Sequence, residues 1–110
     1  LSPFSNNFKE AGTVLESEFQ RKLKKRIEGE IPGSYVFKQD SKQVQGIADL
    51  IVINGPKYAM LECKKSANAH HQPNQDYYVN DVFGKMSYAS FVYPENEDKV
   101  IEELKGWFKE

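Results

Sequence analysis

The strongest constraint on this chain is a pair of apolar runs on either side of a turn. Leu50-Ile51-Val52-Ile53 and Tyr58-Ala59-Met60-Leu61 flank Asn54-Gly55-Pro56-Lys57. Runs this rich in β-branched and aromatic residues read as strands, and Asn-Gly-Pro between them reads as a hairpin turn. Strands are therefore expected over residues 49–53 and 58–64. Pro56 directly after Gly55 points to a four-residue loop rather than a tight two-residue one. A turn centred between Gly55 and Pro56 pairs Ile53 with Tyr58, Ile51 with Met60, and Asp49 with Glu62. Alternation along each strand then sends Leu50, Val52, Leu61 and Cys63 to one face. Asp49, Glu62 and Lys64 share the other. A slip of one residue would scatter the three charged groups, so their meeting on one face depends on this register.

The rest of the chain supplies elements to pack on that hairpin. Over residues 13–28, Leu15, Phe19, Leu23 and Ile27 recur at four-residue steps, the spacing of an amphipathic helix. Thr13 or Gly12 would cap it, with Glu16 three residues after Thr13 as in a capping box. Residues 1–9 read as loose, and Gly29, Pro32 and Gly33 close the helix. A short strand is expected over residues 34–38 and a polar connection over 40–46. Further on, residues 74–87 read as a helix, 89–93 as a strand, and 96–109 as a last helix with Val100, Ile101, Leu104, Trp107 and Phe108 on its apolar face. The expected fold is a small α/β domain in the order α-β-β-β-α-β-α, a mixed central sheet with flanking helices. At 110 residues the chain is one domain, with a core over about 13–93 and one added C-terminal helix.

Charge is unevenly placed. The net charge is −1, yet residues 1–93 carry 12 basic and 10 acidic side chains, against 3 and 6 in residues 94–110. Arg21, Lys22, Lys24, Lys25 and Arg26 form a basic run that is either a solvated helix face or a phosphate-facing patch. The longest apolar run is far too short to span a membrane. One cysteine excludes an internal disulfide. With no signal peptide visible, the expected setting is the cytoplasm of a bacterial or phage-infected cell.

The chemistry is concentrated on the hairpin. Carboxylates directly opposite each other on paired strands have Cβ atoms about 4.5–5.5 Å apart, and like charges so placed are destabilising without a compensator. A divalent cation is the natural one, since Mg²⁺ takes oxygen ligands and keeps waters beside substrate phosphates. Lys64 beside it would position or deprotonate a water, or offset charge on a phosphate oxygen. The plain alternative is a polar hairpin edge with a cross-strand salt bridge between Lys64 and an acid.

Gly46-Ile47-Ala48-Asp49, twelve intervening residues, then Glu62-Cys63-Lys64 resembles the signature of the PD-(D/E)XK nuclease superfamily. That group includes restriction endonucleases, junction resolvases, phage endonucleases and RecB-like exonucleases. The resemblance covers about residues 13–93 and implies a restriction-endonuclease-like core. It also implies a metal-dependent endonuclease that hydrolyses DNA phosphodiesters to 5′-phosphate and 3′-hydroxyl ends. Asp49 and Glu62 would hold Mg²⁺, or Mn²⁺ in its place, with the carbonyl of Cys63. Lys64 would be the catalytic lysine. Ala48 stands where the family usually has proline, a position with no catalytic group. Many members carry a glutamate in the first helix. Glu18 is the best match, as a further metal ligand, with Glu16 the runner-up. Gln75 and Tyr78 resemble the Gln-x-x-Tyr motif of RecB-like nucleases, with Gln72 a nearby alternative and Lys85 a surface or phosphate contact.

Other signals are weaker. His70 and His71 with Cys63 have no zinc-site spacing, and Cys63 reads as a small buried hydrophobe. The histidines read as a surface loop or a DNA approach. No GxxxxGK motif calls for a nucleotide cofactor. DNA is the expected partner, and a junction-cleaving enzyme would be a homodimer, with the apolar face of the last helix as its interface unless that face completes the core. Two readings compete with the nuclease. One is a catalytically inactive nuclease-fold module for DNA binding or assembly. The other is a small α/β protein-interaction domain that docks through Trp107 and Phe108.

Overall fold

A computed structural model describes residues 3–39, 48–71, 73–83 and 87–109, with side chains in the first helix from Glu16 onward. Gly46, Ile47, Gln72, Lys85 and the 40–46 connection lie outside the described residues. One mixed sheet organises the domain. β1 (Ser34–Lys38) and β2 (Leu50–Asn54) are antiparallel, β2 and β3 (Lys57–Cys63) are antiparallel, and β3 runs parallel to β4 (Tyr88–Val92), in spatial order β1-β2-β3-β4. Helix α1 (Pro3–Glu30) precedes the sheet. Helix α2 (Pro73–Asp76) runs straight into a π-helical segment, Tyr77–Phe83, between β3 and β4. A 3₁₀ turn, Pro94–Asn96, leads into helix α3 (Glu97–Lys109). The molecule is thus a small α/β domain with a four-stranded mixed sheet and flanking helices.

The hairpin register is the one the turn dictates. Ile53 pairs with Tyr58, Ile51 with Met60, and Leu50 with Leu61. The loop is shorter than expected, however, because Asn54 pairs with Lys57 and only Gly55 and Pro56 remain between the strands. Gly55 has φ of 60°. That suits the first central position of a type I′ or II′ turn, and proline, fixed near −65°, excludes type I′ and fits the second position of II′. Proline therefore does not lengthen this loop. It sits where the turn needs negative φ.

One face of the sheet carries the core. Val36, Leu50, Val52, Ala59, Leu61, Cys63 and Val92 pack against Leu23, Ile27 and Ile31 from α1 and its end, and against Val100, Ile101 and Leu104 from α3. Burying each of the larger side chains contributes roughly 1.5–3 kcal/mol. The apolar face of α3 completes this chain's own core, so it is not a free surface for a dimer or a docking partner. Trp107 packs on the same cluster, and its indole N–H donates to the Tyr58 carbonyl at 3.0 Å. Lys57 returns the tie, with Nζ donating to the Trp107 carbonyl at 2.9 Å.

Helix α1 starts at Pro3, so residues 3–9 are helical rather than loose and Thr13 is interior rather than a cap. Proline is well placed in a first turn, where its missing N–H has no helical partner to lose. Within the basic run, Arg26 is structural. Its guanidinium meets Glu30 at 2.7 Å on its own helix, and Glu97 at 2.5 Å and Asp98 at 2.9 Å at the start of α3. It ties the two core helices together, while Arg21 and Lys22 pair with Glu18 on the exposed side. Among the described residues, no helix is long and apolar enough to cross a membrane.

Candidate active site

Two short extensions of the sheet build the site. Beyond the β1–β2 ladder, the Gln39 N–H donates to the Asp49 carbonyl at 2.8 Å. Beyond β3–β4, the Lys64 N–H donates to the Val92 carbonyl at 2.8 Å. Asp49 is thereby held one residue before β2, opposite Glu62 near the end of β3. Its Oδ2 accepts the backbone N–H of Cys63 at 2.9 Å, so the carboxylate folds back over the end of β3. Glu62 and Lys64 are both buried, at 3% and 8% exposure.

A chain of hydrogen bonds links the buried charges. The Gln75 amide nitrogen donates to Glu62 Oε1 at 2.8 Å, and Gln75 Oε1 accepts from Lys64 Nζ at 2.6 Å. A second N–H of the ammonium goes to the His70 carbonyl at 3.1 Å. No ion pair joins Lys64 directly to an acid among the described residues, so the plain cross-strand salt bridge is not what forms. The short α2 turn and the loop before it are the elements that close over the sheet end. His71 anchors that loop, stacked on Phe91 with ring centroids 4.0 Å apart and paired with Asp76 at 3.1 Å.

The other oxygen of Glu62 is fully buried and has no hydrogen-bond donor among the described residues. Burial, and then the neighbouring Asp49 carboxyl, push the Glu62 carboxyl up to about 9, with Lys64 opposing the rise. Two acceptor groups facing each other in a buried place need a proton or a cation between them. Burial likewise raises Glu16, helped by Asp49 and opposed by Lys64 and Lys65. The Cys63 thiol, on the core face, is driven far upward by burial and then by Asp49 and Glu62, which leaves it an inert apolar filler.

The structure therefore brings Asp49, Glu62, Lys64 and Gln75 together, with Cys63 contributing backbone. It does not bring Glu18. That side chain is about half exposed and pairs with Arg21 at 3.5 Å and Lys22 at 3.8 Å. Glu16 is the α1 acid that interacts electrostatically with the cluster. The reason is helical phase. At about 100° per residue, Glu16 lies within about 20° of Leu23 and Ile27, whereas Glu18 lies about 140–180° from them. The sequence carried that signal, but a capping role for Glu16 obscured it. The His70 carbonyl and the His71–Phe91 stack had no signal in the residue pattern. Tyr78 is half-buried and meets Tyr77 edge-on, with centroids 5.4 Å apart.

The donor set suits a hard cation. It consists of carboxylate oxygens, one of them buried and without a donor, and Mg²⁺ sites commonly take one or two carboxylates and complete their shell with waters and phosphate. Among the described residues no group of three or more His, Cys, Asp or Glu side chains that could hold a metal ion is found. Comparison of the chain with protein-family models, with curated proteins and with solved structures returns no match.

Proposed function

We propose that this chain is a magnesium-dependent nuclease of the PD-(D/E)XK type, with a restriction-endonuclease-like core, that hydrolyses DNA phosphodiester bonds. The observation that carries this reading is the Asp49–Glu62 pair. Two carboxyls face each other across the hairpin, one buried oxygen has no donor, and a glutamine connects the pair to a buried lysine two residues along the same strand.

Asp49 and Glu62 would hold the ion, with the Cys63 carbonyl as the backbone ligand that the family resemblance implies. A bound Mg²⁺ supplies Lewis-acid stabilisation of phosphoryl charge and a more acidic ligand water. The chain's own groups do the rest. Cys63 N–H fixes one Asp49 oxygen, which sets the direction of the other. Gln75 holds Glu62 and Lys64 at a set separation, so neither can collapse onto the other. An ammonium has three N–H donors, and two are taken by Gln75 and His70. Among the described residues nothing else takes the third, which would go to a non-bridging phosphoryl oxygen and offset the charge that builds as water attacks. Water's oxygen bonds to phosphorus, the bond to the 3′ oxygen breaks, and that oxygen takes up a proton to leave 5′-phosphate and 3′-hydroxyl ends.

A cleavage panel tests this reading, with duplex, single-stranded, flap and four-way-junction DNA and Mg²⁺ or EDTA. Cleavage that requires the metal and is lost in Lys64→Ala and Asp49→Ala supports it. DNA binding without metal-dependent cleavage of any substrate would make the domain a binding module instead.

A further inference from the structure

We infer that the DNA strand this site takes is unpaired, and that its bases stack on Tyr35 and Phe37; the inference rests on the nuclease reading above and names its substrate class. The candidate catalytic residues are the end row of one sheet face. Across that face, Asp49 stands beside Glu62, and Glu62 beside Phe91. The next row along the strands is Phe37, Ile51, Met60 and Ala89, and the one after it is Tyr35, Ile53 and Tyr58. Rows on one face are two residues apart, about 7 Å along the strands.

At the β1 side these rows are not covered. Tyr35 is 65% exposed and Phe37 53%, with Ile53 beside them also exposed. Two aromatic rings on one strand face, leading directly to the Asp49 row, make a platform for bases. A base can stack on such a ring only when its own π-face is open, which excludes bases inside an intact duplex. These rows run without a break into the Asp49–Glu62 end of the face, where the reacting phosphate would sit, and the occupant that continuity fits is the strand being cut. A second copy of this chain is the other candidate occupant. Pairing along the β1 edge is already obstructed, because the Val36 N–H donates to Glu28 Oε2 at 3.3 Å.

The test is fluorescence anisotropy with fluorescein-labelled oligothymidylate, in EDTA so that no cleavage occurs. Wild type is compared with Tyr35→Ala, Phe37→Ala, their double variant and Phe37→Trp. Both rings are exposed, and circular dichroism verifies folding. Each alanine should weaken binding roughly ten-fold, and Phe37→Trp should keep or improve it. Undiminished binding by the double variant overturns the inference, as does equal binding of duplex. If the double variant instead turns a dimer into a monomer in light scattering with DNA binding unchanged, the face is a subunit contact and the inference fails. Magnesium-dependent cleavage with no preference for single strands sinks this inference but leaves the nuclease reading intact. Ring-dependent binding of single strands, with no cleavage of any DNA, sinks the nuclease reading and with it the assignment of a substrate.

Discussion

The Nζ of Lys64 donates to Oε1 of Gln75 at 2.6 Å, across the gap between the end of β3 and the start of α2. The same amide donates to Glu62 through its nitrogen. One neutral side chain thus sets the spacing between a buried cation and a buried acid. A glutamine can do this because its amide offers an acceptor and donors on one rigid plane.

Removing that amide should hurt activity more than stability. Gln75→Ala leaves Glu62 without its donor and Lys64 with one acceptor fewer. Loss of such a supporting contact typically lowers metal affinity or activity about 10- to 100-fold. Gln75→Glu keeps the acceptor for Lys64 but sets a third carboxyl against Glu62, and should weaken the metal-free protein as well. Initial cleavage rates and thermal melts of the two variants separate these effects.

Metal-free protein should lose stability as pH rises. A carboxyl whose pKa is raised by folding binds its proton more tightly in the folded state. Its contribution is full below the ordinary value of 4.5 and is lost as pH climbs through about 9. Urea midpoints measured in EDTA should therefore fall between pH 5.5 and pH 9, conditions chosen to bracket roughly that window. Glu62→Gln should flatten the slope. At pH 8 it should be more stable than wild type by on the order of 1 kcal/mol, because an amide replaces an acid with an unmatched buried oxygen. A wild-type midpoint that rises with pH would contradict this assignment.

Glu16 and Glu18 should behave differently although they are two residues apart. Glu16 interacts with Asp49 and Lys64, while Glu18 lies on the exposed side with Arg21 and Lys22. Glu16→Gln should slow cleavage by roughly ten-fold or more. Glu18→Gln loses only exposed ion pairs, worth about 0–1 kcal/mol of stability, and should leave the rate unchanged. Equal losses in both variants would place α1 in a different phase from the one described.

The contrast between those two acids also shows what was legible in the chain. The hairpin register could be read because the turn residues leave one solution, and it carried Asp49, Glu62 and Lys64 to one end of one face. The core could be read because its residues keep strand and helix periods. Two kinds of feature could not. The start of α1 depends on whether a weak N-terminal stretch joins a strong helix, and moving it from Thr13 to Pro3 removes the need for Glu16 as a cap. The π-helical segment Tyr77–Phe83 replaces an expected ordinary helix, and it packs on β3 and β4 beside the site. Local composition does not announce such a widened helix, which is common near functional sites. The Lys64–His70 contact was equally hidden, because a backbone carbonyl as acceptor carries no residue signature.

Whether Asp49 and Glu62 together hold a divalent cation can be tested by direct metal binding, without any assumption about substrate. Mn²⁺ can be titrated into EDTA-treated, desalted protein and followed by electron paramagnetic resonance of the free ion. Wild type should show one saturable site, Glu18→Gln should match it, and Asp49→Asn and Glu62→Gln should each bind at least about ten-fold more weakly. Wild type and Asp49→Asn giving the same isotherm, or wild type binding no Mn²⁺ at all, would contradict the account.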